Sequence, residues 1–158
     1  MRRFAHYDYW NNDIRRSIIF DNRANILVYG NGEKQILEIA ERSRKGIELK
    51  GIPGTCIISK TLDEGFELLP SFEEVKEDPL KFCEMQKLLS NKKNLAQFYD
   101  NNYLLQYSYP EYTTEDLDWI YSLPYSRRLH PNSLLKMAKF SVVTHRGCIG
   151  NCNFCSLK

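Results

Sequence analysis

The stretch ANILVYGNGEKQILEIAERSRKG, residues 24 to 46, decides the fold class. ANILVY, Ala24 to Tyr29, is a short apolar run rich in branched side chains, the composition of a buried strand. It enters Gly30-Asn31-Gly32, where the backbone must turn sharply. EKQILEIAERSRKG then reads as a helix, with Ile36, Leu37, Ile39 and Ala40 on one face. Glu33 suits its first turn, Arg42 to Lys45 suit its last, and Gly46 can cap it. Strand, glycine turn and helix make half of a βαβ unit. GIPGTCIIS, Gly51 to Ser59, supplies the next strand, so residues 1–59 have the character of an α/β fragment. Upstream, DIRRSIIF, residues 13 to 20, predicts a further helix.

Downstream the pattern changes. Asp78-Pro79 opens a helix carrying Leu80, Phe82, Met85, Leu88 and Leu89, with proline at the first helical position. Another helix starts at Thr113 or Thr114, runs through Leu117, Ile120 and Tyr121, and stops before Pro124. Between them QFYDNNYLLQYSYPEY is dense in tyrosine, which without an accompanying basic stripe reads as packing and not as a base-stacking platform. Residues 60–138 therefore form a helical, tyrosine-rich connecting region. KFSVVT, Lys139 to Thr144, predicts a strand leading directly into His145-Arg146-Gly147 and a cysteine-rich end, residues 139–158.

The chain has 158 residues, 42% hydrophobic and 27% charged, enough to bury the core of one ordinary domain but not of a large enzyme. The net charge of +2 is spread over separate arginine pairs, so nucleic acid is not indicated as a partner. The N-terminus lacks the apolar run of a signal peptide, and no stretch approaches the roughly 20 apolar residues of a membrane span. These features predict a cytoplasmic chain with no membrane partner. In a reducing compartment clustered thiols serve metals, clusters or catalysis more often than disulfides. Cys56 and Cys83, alone in TCII and KFCEM, are assigned to packing.

The glycine turn fails as a nucleotide site. GNGEK has the wrong spacing for a Walker A loop and carries Gln35 after its lysine, and the same Gln35 stands where a dinucleotide fingerprint needs glycine or alanine. A structural turn is expected, although amides at a helix start can attract an anion. His6 and His130 have no carboxylate or nucleophile at diagnostic spacing and read as hydrogen-bonded structural histidines. At the C-terminus, Cys148, Cys152 and Cys155 form CxxxCxxC beside Gly147 and Gly150, a loop on which three thiolates can converge. Three ligands leave one position of a 4Fe-4S cluster open to a non-protein ligand. The alternative is a small structural zinc-binding interaction module closed by His145, three residues before Cys148.

CIGNCNFC, with Phe154 just before the last cysteine, resembles the CxxxCx(aromatic)C signature of the radical S-adenosylmethionine (radical SAM) enzymes. RRFAHYDYW, RRSIIFD, YGNGEKQILEIA, IPGTCII, LLPSFEEVK, LPYSRRLHP and FSVVTHRGCIGNCNFC together resemble the interior of YgiQ-type members of that superfamily. The resemblance implies that Cys148, Cys152 and Cys155 ligate three irons of a 4Fe-4S cluster. The open iron would chelate S-adenosylmethionine, whose reductive cleavage gives a 5'-deoxyadenosyl radical, and Phe154 would lie beside the adenine. A reducing electron donor and an unknown substrate are the implied partners.

The fold implied by the resemblance is α/β. It comprises a partial Rossmann-like (cobalamin-binding-like) domain, the connecting region, and the first strand and cluster loop of an incomplete radical SAM (β/α) barrel. Cobalamin does not follow, since its Asp-x-His-x-x-Gly motif is absent. Only Ser156, Leu157 and Lys158 follow the last cysteine, so the chain is expected to be a fragment that is inactive alone.

Overall fold

The computed structural model of the chain describes residues 2–90, 93–126 and 128–141. Two compact units divide the chain, the first ending at Leu117 and the second beginning at Asp118. The chain is mixed α/β, as the sequence predicts.

The first unit is built on β3 (Leu27–Val28), β4 (Thr55–Ser59), β5 (Glu67–Leu68), β6 (Leu95–Tyr99) and β7 (Asn102–Gln106), paired in the order β3-β4-β7-β6-β5. Only β5 and β6 run parallel. β6 and β7 form a hairpin from Leu95↔Gln106 to Tyr99↔Asn102, closed by Asp100-Asn101. Asp100 takes the left-handed φ of 48°, which short polar side chains tolerate. This hairpin lies inside residues 60–138, the stretch that the sequence presents as a helical, tyrosine-rich connecting region.

Helix α2 (Glu33–Lys45) has the predicted limits, with Gly46 closing it at φ 66° and donating to the carbonyls of Arg42 and Ser43. The expected βαβ unit is not formed, because β3 pairs antiparallel with β4, Leu27 opposite Cys56. The cause is the return path. After Gly46 the chain runs back along α2, and Arg42 NH1 donates to the carbonyls of Glu48 (3.2 Å) and Lys50 (2.7 Å). Pro53 reaches the helix start, where its carbonyl accepts from Gln35 Nε2, and the Gly54 carbonyl accepts from Tyr29 N. β4 thus begins beside the end of β3 and must run the other way.

That path also inverts the helix. The predicted apolar face is turned outward, Ile36 at 57% and Leu37 at 54% exposed, while Gln35 is buried at 2%. A helix packed against irregular chain meets carbonyls that need donors, so a glutamine and an arginine serve its inner side better than leucines.

At the N-terminus the predicted helix over 13–20 is replaced by β2 (Asp13–Arg15), paired antiparallel with β1 (His6–Asp8), followed by the short α1 (Ile18–Asn22). Asp8 makes the turn. Its carboxylate accepts from Trp10 N (3.1 Å), Asn11 Nδ2 (2.8 Å) and Arg15 NH1 (3.1 Å), satisfying the loop locally.

Two helices follow β5. α3 (Phe72–Glu77) starts with a reciprocal capping box between Ser71 and Glu74, and α4 (Pro79–Leu88) starts where Asp78 accepts from Leu80 N at 2.8 Å. Their Val75 and Met85 join Phe4, Ile19, Leu27, Cys56, Leu95, Tyr99 and Leu104 in the main core on one face of the sheet. The residues alternating with these strand positions, Ile57, Ala96, Leu105 and Tyr107, form a smaller cluster with Ile26, Phe66 and Tyr103.

Gln97 is one of the buried polar side chains among the described residues. It is fully buried, and its Oε1 accepts from Ala5 N (3.0 Å) and Tyr99 OH (2.6 Å). Its Nε2 donates to the Pro70 carbonyl at 2.9 Å. This amide ties the N-terminal segment, the approach to α3 and β6 through one satisfied group.

Helix α5 (Thr114–Ser122) spans the residues predicted for it. In the second unit, Lys136–Phe140 is a 3-10 turn where the predicted strand would begin at Lys139. Residues 142–144 of that prediction lie outside the described residues. No helix among the described residues is long and apolar enough to cross a membrane.

Candidate functional site

Cys148, Cys152, Cys155, Phe154 and His145 all lie outside the described residues. Among the described residues no group of three or more histidine, cysteine or acidic side chains could hold a metal.

The other two cysteines are both free thiols. Cys56 is fully buried in the main core, where loss of solvent pushes its thiol up to about 12, and it behaves as the small hydrophobe expected. Cys83 departs from the packing assignment: it is exposed on α4, because the inward face of that helix is taken by Phe82 and Met85. His130 accepts from Asn132 N at 3.2 Å in a local turn, and His6 is exposed on β1.

The glycine turn is described in full. Tyr109 OH donates to the carbonyl of Asn31, and Asn31 N donates back to the Tyr109 hydroxyl oxygen, both at 2.9 Å. The ring lies against two left-handed glycines, Gly30 (φ +71°) and Gly54 (φ +78°). A Cβ at Gly30 would stand 2.5 Å from Tyr109 Cε2, and one at Gly54 would stand 2.8 Å from Gln35 Nε2. Gly30 admits the tyrosine ring, and Gly54 admits the Gln35 amide together with the edge of that ring.

Tyr112 completes the cover. Its ring stacks on Tyr109 at 6.0 Å between centroids, and its hydroxyl donates toward Glu33 Oε2 (3.2 Å) and the Asn31 carbonyl (3.3 Å). Burial, the Tyr109 hydroxyl and the Glu33 carboxylate hold the Tyr112 phenol above its ordinary range, so it stays neutral and is no acid or base at physiological pH. With a carboxylate at the first turn of α2 and a phenol on Asn31, the arrangement is a structural turn, as expected.

Charged groups extend this contact. Lys34 Nζ forms an ion pair with Asp116 Oδ2 and lies 5.2 Å from the Tyr112 ring centroid. Asp116 also accepts from Thr113 N at 2.9 Å, while Thr113 Oγ1 accepts from Asp116 N at 3.3 Å, closing the start of α5. On the sheet side the Arg3 guanidinium lies 4.3 Å over the Tyr29 ring. Sequence reading classed these tyrosines as packing residues but did not pair Tyr109 with the glycine turn. The two are separated by 78 residues and no local pattern links them.

The family model described as radical SAM N-terminal matches residues 1–144, ending before Cys148. A UPF0313 protein of Clostridium perfringens is 40% identical over 178 aligned residues, which cover 99% of this chain and 27% of the relative. A UPF0313 protein of Methanocaldococcus jannaschii is 42% identical, covering 99% of this chain and 28% of the relative. One from Clostridium botulinum is 38% identical with the same reach along this chain and 27% of its own length. No solved structure matches. The chain spans about a quarter of the length of the curated relatives it matches. With a match over residues 1–144 and relatives aligned along almost the whole chain, this protein belongs to the radical SAM N-terminal family, beside the YgiQ-type UPF0313 proteins.

Proposed function

We propose that the chain carries the cluster-binding loop of a radical SAM enzyme, with Cys148, Cys152 and Cys155 as ligands of a 4Fe-4S cluster and Phe154 beside the adenine of S-adenosylmethionine. The observation that carries the reading is the family membership of a chain that carries CIGNCNFC at residues 148–155. The donor set fits the group: three soft thiolates within eight positions suit an iron-sulfur cluster and leave one iron for a non-protein ligand. Cys56, sealed in the core, is no rival ligand. When bound, the cluster supplies the electron that cleaves S-adenosylmethionine to the radical used on a substrate.

What the chain's own residues do is hold and orient. The backbone after Phe140 would open the barrel, Gly147 and Gly150 would let the loop close tightly, and the three sulfurs would set the position of the open iron. The substrate would be met by barrel walls, which usually take about 200 residues or more. A cytoplasmic reductant completes the proposed system.

The test is anaerobic reconstitution with iron and sulfide, comparing alanine variants at all five cysteines by iron and sulfide content. Loss of the cluster in Cys148→Ala, Cys152→Ala and Cys155→Ala, and its retention in Cys56→Ala and Cys83→Ala, is expected. An unchanged cluster in Cys152→Ala, or stoichiometric zinc lost in His145→Ala, overturns the reading.

A further inference from the structure

The contacts between the start of α2 and residues 109–116 fall into two kinds. Tyr109 is wedged between two left-handed glycines and bonded twice to the Asn31 backbone. Residues 112–116 are held differently, through the Tyr112 hydroxyl on Asn31 and Glu33 and the Lys34 ion pair with Asp116. Those groups are part-exposed, Lys34 at 40% and Asp116 at 18%, so water can replace each contact as it breaks. Tyr109 is held in addition by its ring, which occupies the space that a Cβ at Gly30 or Gly54 would need, so its release costs packing as well as hydrogen bonds.

We infer that Tyr112 to Asp116 form a latch that pins the first turn of α5 to the start of α2 and opens on its own, with Tyr109 as the fixed pivot. Asp116 makes the latch and the helix start one device, since the carboxylate that meets Lys34 also accepts from Thr113 N. Opening frees the segment up to Leu117, whose amide donates to the Thr113 carbonyl at 3.3 Å, while the sheet stays paired. The first unit ends at Leu117, so its last residues are those the latch holds. The inference rests on these contacts alone and stands or falls separately from cluster binding.

The test is amide hydrogen exchange of the 158-residue chain. Lys34→Ala, which leaves the Thr113–Asp116 closure intact, should speed exchange over residues 114–117 by about fivefold, near the upper end for a part-exposed ion pair. Adding Tyr112→Phe should speed it again, with the β6–β7 amides unchanged in both. Unaltered exchange over 114–117 in the double variant, or equal acceleration in β6–β7, overturns the latch. Should that variant not fold, the wild-type chain in about 0.05 M and about 1 M salt gives the same reading through charge screening. Faster exchange confined to 114–117 at high salt supports the latch, and no change there overturns it.

Discussion

Gly30 and Tyr109 are so close that a single methyl group on the glycine would stand 2.5 Å from the tyrosine ring. The turn after β3 therefore depends on a residue 79 positions later in the chain as much as on its own flexibility. Gly30→Ala combines a left-handed φ with a collision and should destabilise the first unit by about 2 kcal/mol or more. Tyr109→Phe keeps the ring but loses both Asn31 hydrogen bonds and should cost about 1–2 kcal/mol. Denaturant unfolding of the two variants would check this, and a Gly30→Ala chain as stable as wild type would contradict it.

Gln97 is the second position where one side chain decides much. Gln97→Leu fills the space but strands Ala5 N and the Pro70 carbonyl without partners, so a loss of about 2–4 kcal/mol is expected. Ala5 should lose its protection from amide exchange in the same variant, which separates the hydrogen-bond effect from a packing fault.

The buried thiol predicts a contrast in reactivity. Alkylation of the folded chain at neutral pH, mapped by mass spectrometry, should label Cys83 readily and Cys56 only on unfolding. Folding raises the Cys56 thiol from 9.0 to about 12, so the stability from keeping it neutral is complete below pH 9.0 and is lost as pH rises toward 12. Equal labelling of both cysteines in the folded state would refute the burial.

Asp21 works in the opposite direction. The Arg16 hydrogen bond and then the charge of Arg2 hold its carboxyl below the ordinary 3.8. The contribution is present above 3.8 and disappears as pH falls through the lowered value. Asp21→Asn should be less stable than wild type at pH 7, with the two acid-unfolding curves converging at the acid end. Curves that stay apart under acid conditions would show that the ion pairs are not the cause.

Local chemistry was legible in the sequence and long-range choice was not. Glu33 to Lys45, the Gly46 cap, the Asp78-Pro79 start and the Thr114 start all depend on residues within one turn of each other, and each was read correctly. Which side of α2 is buried depends on the loop that returns along it, and no periodicity in EKQILEIAERSRK records that. LAQFY hides its strand for a related reason. As a central strand it is buried on both faces, so Leu95, Ala96 and Gln97 are all inside and the alternation of an edge strand is lost. The Asp100-Asn101 turn between two aromatic-rich runs was the available clue. The CxxxCxxC reading came from sequence spacing, and its residues lie outside those described.

The order β3-β4-β7-β6-β5 sets a sequence of events in time. β6 and β7 are joined by two residues and can pair within microseconds, whereas β4 must close a loop of some 40 residues to reach β7. The hairpin therefore serves as the template on which β4 docks, and β3 can add only after β4. Folding-rate analysis should give Ala96→Gly a high φ-value and Leu27→Ala a low one. Equal values would mean that the sheet assembles all at once; the expected split would make the tyrosine-rich middle of the chain, and not its glycine turn, the place where folding begins.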